Sequence, residues 1–220
     1  MYFDAHLHLI NEQELIQAYQ KNIKGFILNA TKEDDWEKII SLSKKHPFIY
    51  GSIGIHPWFI DSISHNWEKE MELYLKNNPS LMIGEIGLDG LKKDIKKQEE
   101  IFLKSLYLAK KYQRIVHIHS VKSWDKMIPI LQNFSDLTFL FHRFNAPKEI
   151  IQELKKYNAW FSVNSQKNIE LLPINKVLSE TDCDSMDYNA DKLISLVDNF
   201  KLSAQQIEEN FYNFIKNLEK

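Results

Sequence analysis

Eight histidines are spread along this 220-residue chain, and six of them fall at or just after the carboxyl end of a short β-rich run: His6, His8, His56, His117, His119 and His142. Imidazole is the commonest metal ligand and the side chain best placed to move protons near neutral pH. Two carboxylates occupy equivalent places, Glu85 after the run at 81–84 and Asp182 after that at 177–181. His6, His8, Glu85, His119, His142 and Asp182 thus arrive from five strands. Such a set would hold divalent ions and activate water.

The local patterns have competing readings. In Asp4-Ala5-His6-Leu7-His8, strand alternation puts Asp4, His6 and His8 on one side and Ala5 and Leu7 on the other. The two imidazoles could then reach one ion, although His-x-His alone fits a surface or packing pair equally well. Glu85 lies in Ile83-Gly84-Glu85-Ile86-Gly87-Leu88-Asp89, an otherwise apolar run. An unpaired buried carboxylate is costly, so it needs a cation, either a metal or a neighbouring Lys or Arg. His117 shares parity with His119 and should face the same interior, as packing or as support for a ligand.

The elements that must position these groups alternate along the chain. Short β-rich runs lie near residues 2–6, 24–29, 48–54, 81–86, 115–119, 138–142, 159–163 and 177–181. Helical periodicity appears between them, as in Trp67, Met71, Tyr74 and Leu75, or Trp124, Met127, Ile128 and Leu131. The clearest helix is the last, with Ser203 and Gln206 in capping-box spacing and Ala204, Ile207, Phe211, Phe214, Ile215 and Leu218 on one stripe. A helix expected near Gln166–Leu172 is short and poorly patterned. Eight β–α alternations in one domain over 1–220 imply an α/β fold of the (β/α)8 TIM-barrel type, whose catalytic groups sit on the carboxyl rim.

Composition narrows the function classes. The formal net charge is −2, so no broad basic field draws the protein to duplex DNA or anionic membrane. A single cysteine, Cys183, excludes an internal disulfide, and the first residues lack a secretion pattern, so a reducing cytoplasm is expected. No apolar run is long enough to span a bilayer, and no obligate protein partner is expected.

Taken in order, Asp4-x-His6-x-His8, Gly84-Glu85-Ile86-Gly87-Leu88-Asp89, Gln98 with Phe102, Ile118-His119-Ser120, Phe141-His142 and Glu180-Thr181-Asp182 resemble the motifs of the TatD-like hydrolases. These belong to the amidohydrolase-like barrel superfamily. The resemblance implies a metal-dependent nuclease, commonly a 3′→5′ exonuclease on single-stranded nucleic acid, with some relatives acting on aminoacyl-tRNA esters. It further implies that His6, His8 and Asp182 hold one ion, His119 and His142 a second, and that Glu85 bridges them. A pair of ions about 3.5–4 Å apart suits in-line phosphoryl displacement. A mixed His and carboxylate shell favours Zn²⁺, Mn²⁺, Co²⁺ or Ni²⁺ over Mg²⁺. Asp182 could also steer a proton of the attacking water. His56, in Gly54-Ile55-His56-Pro57, resembles a family segment suited to phosphate binding or proton transfer, with a structural imidazole as the alternative. Trp58 could stack a terminal base while Lys122 or Arg143 holds a phosphate.

Two departures bear on substrate. Cys183-Asp184 follows Asp182 where relatives usually carry a Pro, and the basic loop usually found next is shortened to Ser185-Met186-Asp187-Tyr188. The Arg often found after the fifth-strand His is replaced by Ser120-Val121-Lys122. An esterase or amidase acting on a smaller substrate is therefore the alternative activity, and a non-catalytic metal-bound barrel is the alternative class.

Overall fold

The fold, a computed structural model, describes residues 1–8, 10–184, 188–216 and 218, so most of the shortened loop after Asp184 lies outside the described residues. Eight strands, β1 (Tyr2–Leu7), β2 (Ile23–Asn29), β3 (Ile49–Ile53), β4 (Met82–Asp89), β5 (Val116–Val121), β6 (Thr138–Phe141), β7 (Asn158–Val163) and β8 (Val177–Ser179), form one sheet in sequence order. Every pairing is parallel. β8 and β1 approach through Ser179 Oγ to the Phe3 carbonyl at 2.7 Å, Asp182 N to His6 O at 3.0 Å and His8 N to Cys183 O at 2.8 Å. The result is the nearly closed (β/α)8 barrel that the alternation implies.

Helices α1 (Glu12–Gln20), α2 (Trp36–Lys45), α3 (Trp67–Asn77), α4 (Ile95–Tyr112), α5 (Trp124–Leu131), α6 (Lys148–Leu154) and α7 (Ala190–Asp198) alternate with the strands, and α8 (Ala204–Ile215) ends the fold. One apolar layer lies between strands and helices, with Phe26, Leu28, Ile83 and Phe139 meeting Leu15, Ile39, Leu75 and Leu106. A second cluster unites Ile27, Met82, Leu140 and Leu178 with Phe211 and Phe214 of α8. The alternation of these two sets along β2, β4, β6 and β8 identifies the second as the barrel interior. There α8 plugs the amino-terminal mouth, so the carboxyl rim alone is open for chemistry. Ser203 caps α8 by accepting from Gln206 N at 3.2 Å, as its spacing requires.

Two expectations are corrected. No α-helix joins β7 to β8; the segment folds as two one-turn 3-10 pieces, Ile169–Leu171 and Ile174–Lys176, in keeping with its weak periodicity. Strict alternation also fails on β1. Ala5 joins the interior cluster, whereas Asp4 bonds Tyr188, whose ring packs on Phe26 of the outer layer at 5.7 Å. A register shift between Asp4 and Leu7 breaks the two-residue period and still brings His6 and His8 to the rim.

Candidate metal centre

Glu85 stands at the middle of the rim because β3, β4 and β5 come unusually close there. A Cβ on Gly84 would overlap that of His117, and one on Gly87, at φ 150°, would overlap the His119 carbonyl. Glycine is what lets the backbone around Glu85 bulge, and the β4–β5 register shifts between Ile83 and Ile86.

The Glu85 carboxylate faces two ways. Its Oε2 lies 3.3 Å from His6 Nε2 and 3.5 Å from His8 Nε2. Its Oε1 lies 2.7 Å from His142 Nε2, 2.8 Å from His119 Nδ1 and 3.4 Å from His56 Nε2. Asp182 closes the first side, with Oδ1 3.6 Å from His8 Nε2 and 3.9 Å from His6 Nε2. All six side chains marked as ligands in the sequence therefore meet. Three overlapping donor groups, His6/His142/Asp182, His6/His8/Glu85 and His56/Glu85/His119, each have their donor atoms within 4.8 Å of one another.

These donors fit divalent ions on a further ground. Both ring nitrogens of His6, Glu85 Oε2, His119 Nε2 and His142 Nδ1 are buried without a hydrogen-bond partner. Each such group costs roughly 1–3 kcal/mol when left unsatisfied. Of these, His6 Nε2 and Glu85 Oε2 face each other at 3.3 Å, and a cation between them would satisfy both.

The ring tautomers of His8 and His56 differ. His8 Nδ1 lies 3.1 Å from the Asn29 carbonyl, which can only accept, so Nδ1 carries hydrogen and Nε2 is left facing the carboxylates. His56 is the reverse: its Nδ1 accepts from Trp58 N at 3.2 Å, so the neutral ring carries hydrogen on Nε2, 3.2 Å from His119 Nδ1 and 3.4 Å from Glu85 Oε1. Distance places His56 in a donor group with Glu85 and His119, while the Trp58 bond occupies its Nδ1.

Electrostatics follow the burial. Burial, reinforced by His142, pushes His6 down to about 3. Burial also opposes charge on His8, but Asp182 and Glu85 outweigh it and raise the ring to about 9. Burial would raise Glu85 and Asp182, yet the surrounding imidazoles hold both well below the carboxylate range. Burial lowers His56, in keeping with a neutral ring.

The remaining marked residues line an open cleft of about 870 Å³ above the centre. Trp58 is 57% exposed rather than packed beneath the loops, with Lys92 Nζ 4.2 Å from its ring centroid. Lys122 is exposed on the same cleft. Arg143 donates from Nη1 to Asp182 Oδ2 at 2.9 Å, so it holds a carboxylate as well as facing the cleft. His117 is fully buried under His6 at 6.0 Å, outside the donor groups.

Sequence reasoning gave no role to three buried acids. Asp4 accepts from Thr181 N and Oγ1 and from Tyr188 Oη, tying β1 to the Asp182 loop. Glu180, raised well above its usual value by burial and by Asp182, accepts from Ser162 at 2.5 Å beside His142. Asp89 accepts from Trp58 Nε1 at 2.7 Å. Asp4, Glu180 and Asp89 lie in the quoted motifs, but partners distant in sequence decide what they do.

Residues 3–209 match the family described as TatD related DNase. The chain belongs to that family. It is 30% identical over 202 residues to an uncharacterised metal-dependent hydrolase of Methanocaldococcus jannaschii, covering 82% of this chain and 78% of that protein. It is 24% identical over 211 residues to the human deoxyribonuclease TATDN3, covering 81% of this chain and 76% of that protein. The crystal structure of YjjV, a TatD homologue from Escherichia coli, superposes with a TM-score of 0.83 at 21% identity, covering 99% of this chain and 97% of that one. The fold is thus the TatD barrel, and the family is one of metal-dependent hydrolases that includes nucleases. No helix among the described residues is long and apolar enough to cross a membrane.

Proposed function

We propose that this TatD-family chain hydrolyses phosphodiester bonds at the ends of single-stranded nucleic acid, in the 3′→5′ direction, with two divalent ions astride Glu85. The observation that carries the reading is the division of the Glu85 carboxylate, Oε2 toward His6 and His8 and Oε1 toward His119 and His142. His6, His8 and Asp182 would hold one ion, His119 and His142 the other, and Glu85 both. The donor set suits Zn²⁺, Mn²⁺, Co²⁺ or Ni²⁺ better than Mg²⁺. When bound, such ions supply Lewis acidity to water and to phosphoryl oxygens.

The protein's own groups divide the rest of the work. Arg143 fixes Asp182 through Oδ2 and keeps Oδ1 turned toward His6 and His8, where it would hold an ion and steer a proton of the attacking water. His56, carrying hydrogen on Nε2, would offer a hydrogen bond to a phosphoryl or leaving oxygen while keeping its proton. Trp58 offers an exposed face for a terminal base, and Lys122 and the unused guanidinium donors of Arg143 take phosphate oxygens. Nuclease relatives such as human TATDN3 and the human 3′-5′ RNA nuclease TATDN2 support a nucleic-acid substrate.

The test is release of mononucleotides from a 3′-labelled single-stranded oligonucleotide with each candidate metal, using EDTA and Glu85→Ala as controls. Metal-dependent release that both controls abolish supports the reading. No release with any metal sinks it in favour of the esterase or amidase alternative.

A further inference from the structure

Asp89 is a buried carboxylate beside the centre, 2% exposed, and none of the proposed steps uses it. Its backbone is clamped by Gln98, whose Oε1 accepts from Asp89 N at 2.8 Å and whose Nε2 donates to Asp89 O at 3.2 Å. Its side chain is held as firmly. Oδ1 accepts from Leu91 N at 2.9 Å, and Oδ2 accepts from the Trp58 indole at 2.7 Å. The same Oδ2 lies 3.7 Å from His119 Nε2, a buried nitrogen with no hydrogen-bond partner. On the other side of that ring, Nδ1 faces Glu85 Oε1 at 2.8 Å.

We propose that Asp89 is a positioning residue for His119: it receives the Nε2 hydrogen, fixes the ring's rotation and leaves Nδ1 as the donor for the ion on the Oε1 side of Glu85. The inference rests on the metal-centre reading above. A metal-binding imidazole commonly donates its other N–H to a carboxylate, which sets both orientation and basicity. A shift of about 0.8 Å would close the gap to the range of charge-assisted N–H···O bonds. His119 would be the group that turns, because Asp89 is fixed by four other bonds. The Trp58 bond also makes Asp89 the shared support of the cleft wall and of a metal position.

The test titrates metal-free protein with Zn²⁺ alone against a chromophoric chelator, for wild type, Asp89→Asn, Asp89→Ala, His119→Ala and the double variant Asp89→Ala/His119→Ala. Wild type should show two sites. Asp89→Ala should weaken one of them about 10–100-fold and leave the other unchanged. His119→Ala should weaken that same site, and the double variant should be no weaker than His119→Ala, because Asp89 acts through that ring. Asp89→Asn retains volume and one acceptor, so it serves as the folded control and should fall between wild type and Asp89→Ala. A merely structural Asp89 would lower the melting temperature while leaving both affinities intact, and that result overturns the proposal. Additive losses in the double variant also overturn it. Failure of wild type to bind Zn²⁺ removes the metal-centre reading and this inference with it, whereas two normal sites in both Asp89 variants removes this inference alone.

Discussion

Proton release on metal binding follows from the two faces of His8. Its Nδ1 hydrogen is committed to the Asn29 carbonyl, so the proton that makes the ring cationic sits on Nε2, between Glu85 and Asp182. That is the atom an ion must use. With the ring raised to about 9, most of His8 is protonated at pH 7.5, and loading the site must expel close to one proton. His6, held down near 3, is already neutral and releases none. His119 is also raised, against the effect of burial, by Glu85 and Asp89, and adds to the total. Competition with the His8 proton should weaken apparent affinity about 30-fold at pH 7.5, or ~2 kcal/mol, and affinity should rise about tenfold per pH unit until it levels off near pH 9. Calorimetric titration of metal-free protein with Zn²⁺ in two buffers of different ionisation enthalpy counts the protons. His8→Ala should release about one fewer than wild type at pH 7.5. Equal release by the two proteins, or an affinity flat between pH 7 and 9, would refute the placement of His8 in the metal shell.

Three further outcomes are expected. Glu85→Ala should abolish hydrolysis and lower metal stoichiometry while the barrel still melts cooperatively, since the two apolar layers carry the fold; elemental analysis and circular dichroism check this. Trp58→Ala should weaken binding of a single-stranded oligonucleotide by about 1–3 kcal/mol with kcat less affected, toward the lower end because a stacking base must displace Lys92 from the ring. Gly87→Ala should destabilise the protein by at least ~1–3 kcal/mol in chemical denaturation, because the added methyl meets the His119 carbonyl and φ is 150°.

Much of the centre was legible because barrel geometry turns strand order into spatial order. His6, His8, Glu85, His119, His142 and Asp182 lie at the ends of β1, β4, β5, β6 and β8, and closing the sheet brings those ends together. What stayed hidden depends on side chains meeting across long sequence intervals. The pairing of Arg143 with Asp182 spans 39 residues, and the bond of Tyr188 to Asp4 spans 184. The β1 irregularity was equally unreadable, since Asp4-Ala5-His6-Leu7-His8 looks like ideal alternation and only the register with β2 exposes the shift. Helices α1 and α7 were not anticipated; α1 carries a weaker apolar stripe than α8, whereas α7, with Ala190, Leu193 and Val197 buried, is patterned as clearly as α8 and was overlooked. Between β7 and β8 the weak pattern was itself informative, as that segment forms 3-10 turns in place of a helix.

The central claim is that Glu85 joins two metal positions through its two oxygens. A crystal of the protein soaked in Mn²⁺, with anomalous scattering measured to locate the ions, tests it directly. The account predicts two peaks about 3.5–4 Å apart on opposite sides of the Glu85 carboxylate, one against His6 and His8 and one against His119 and His142. A single peak, or two peaks that do not both touch Glu85, would contradict it.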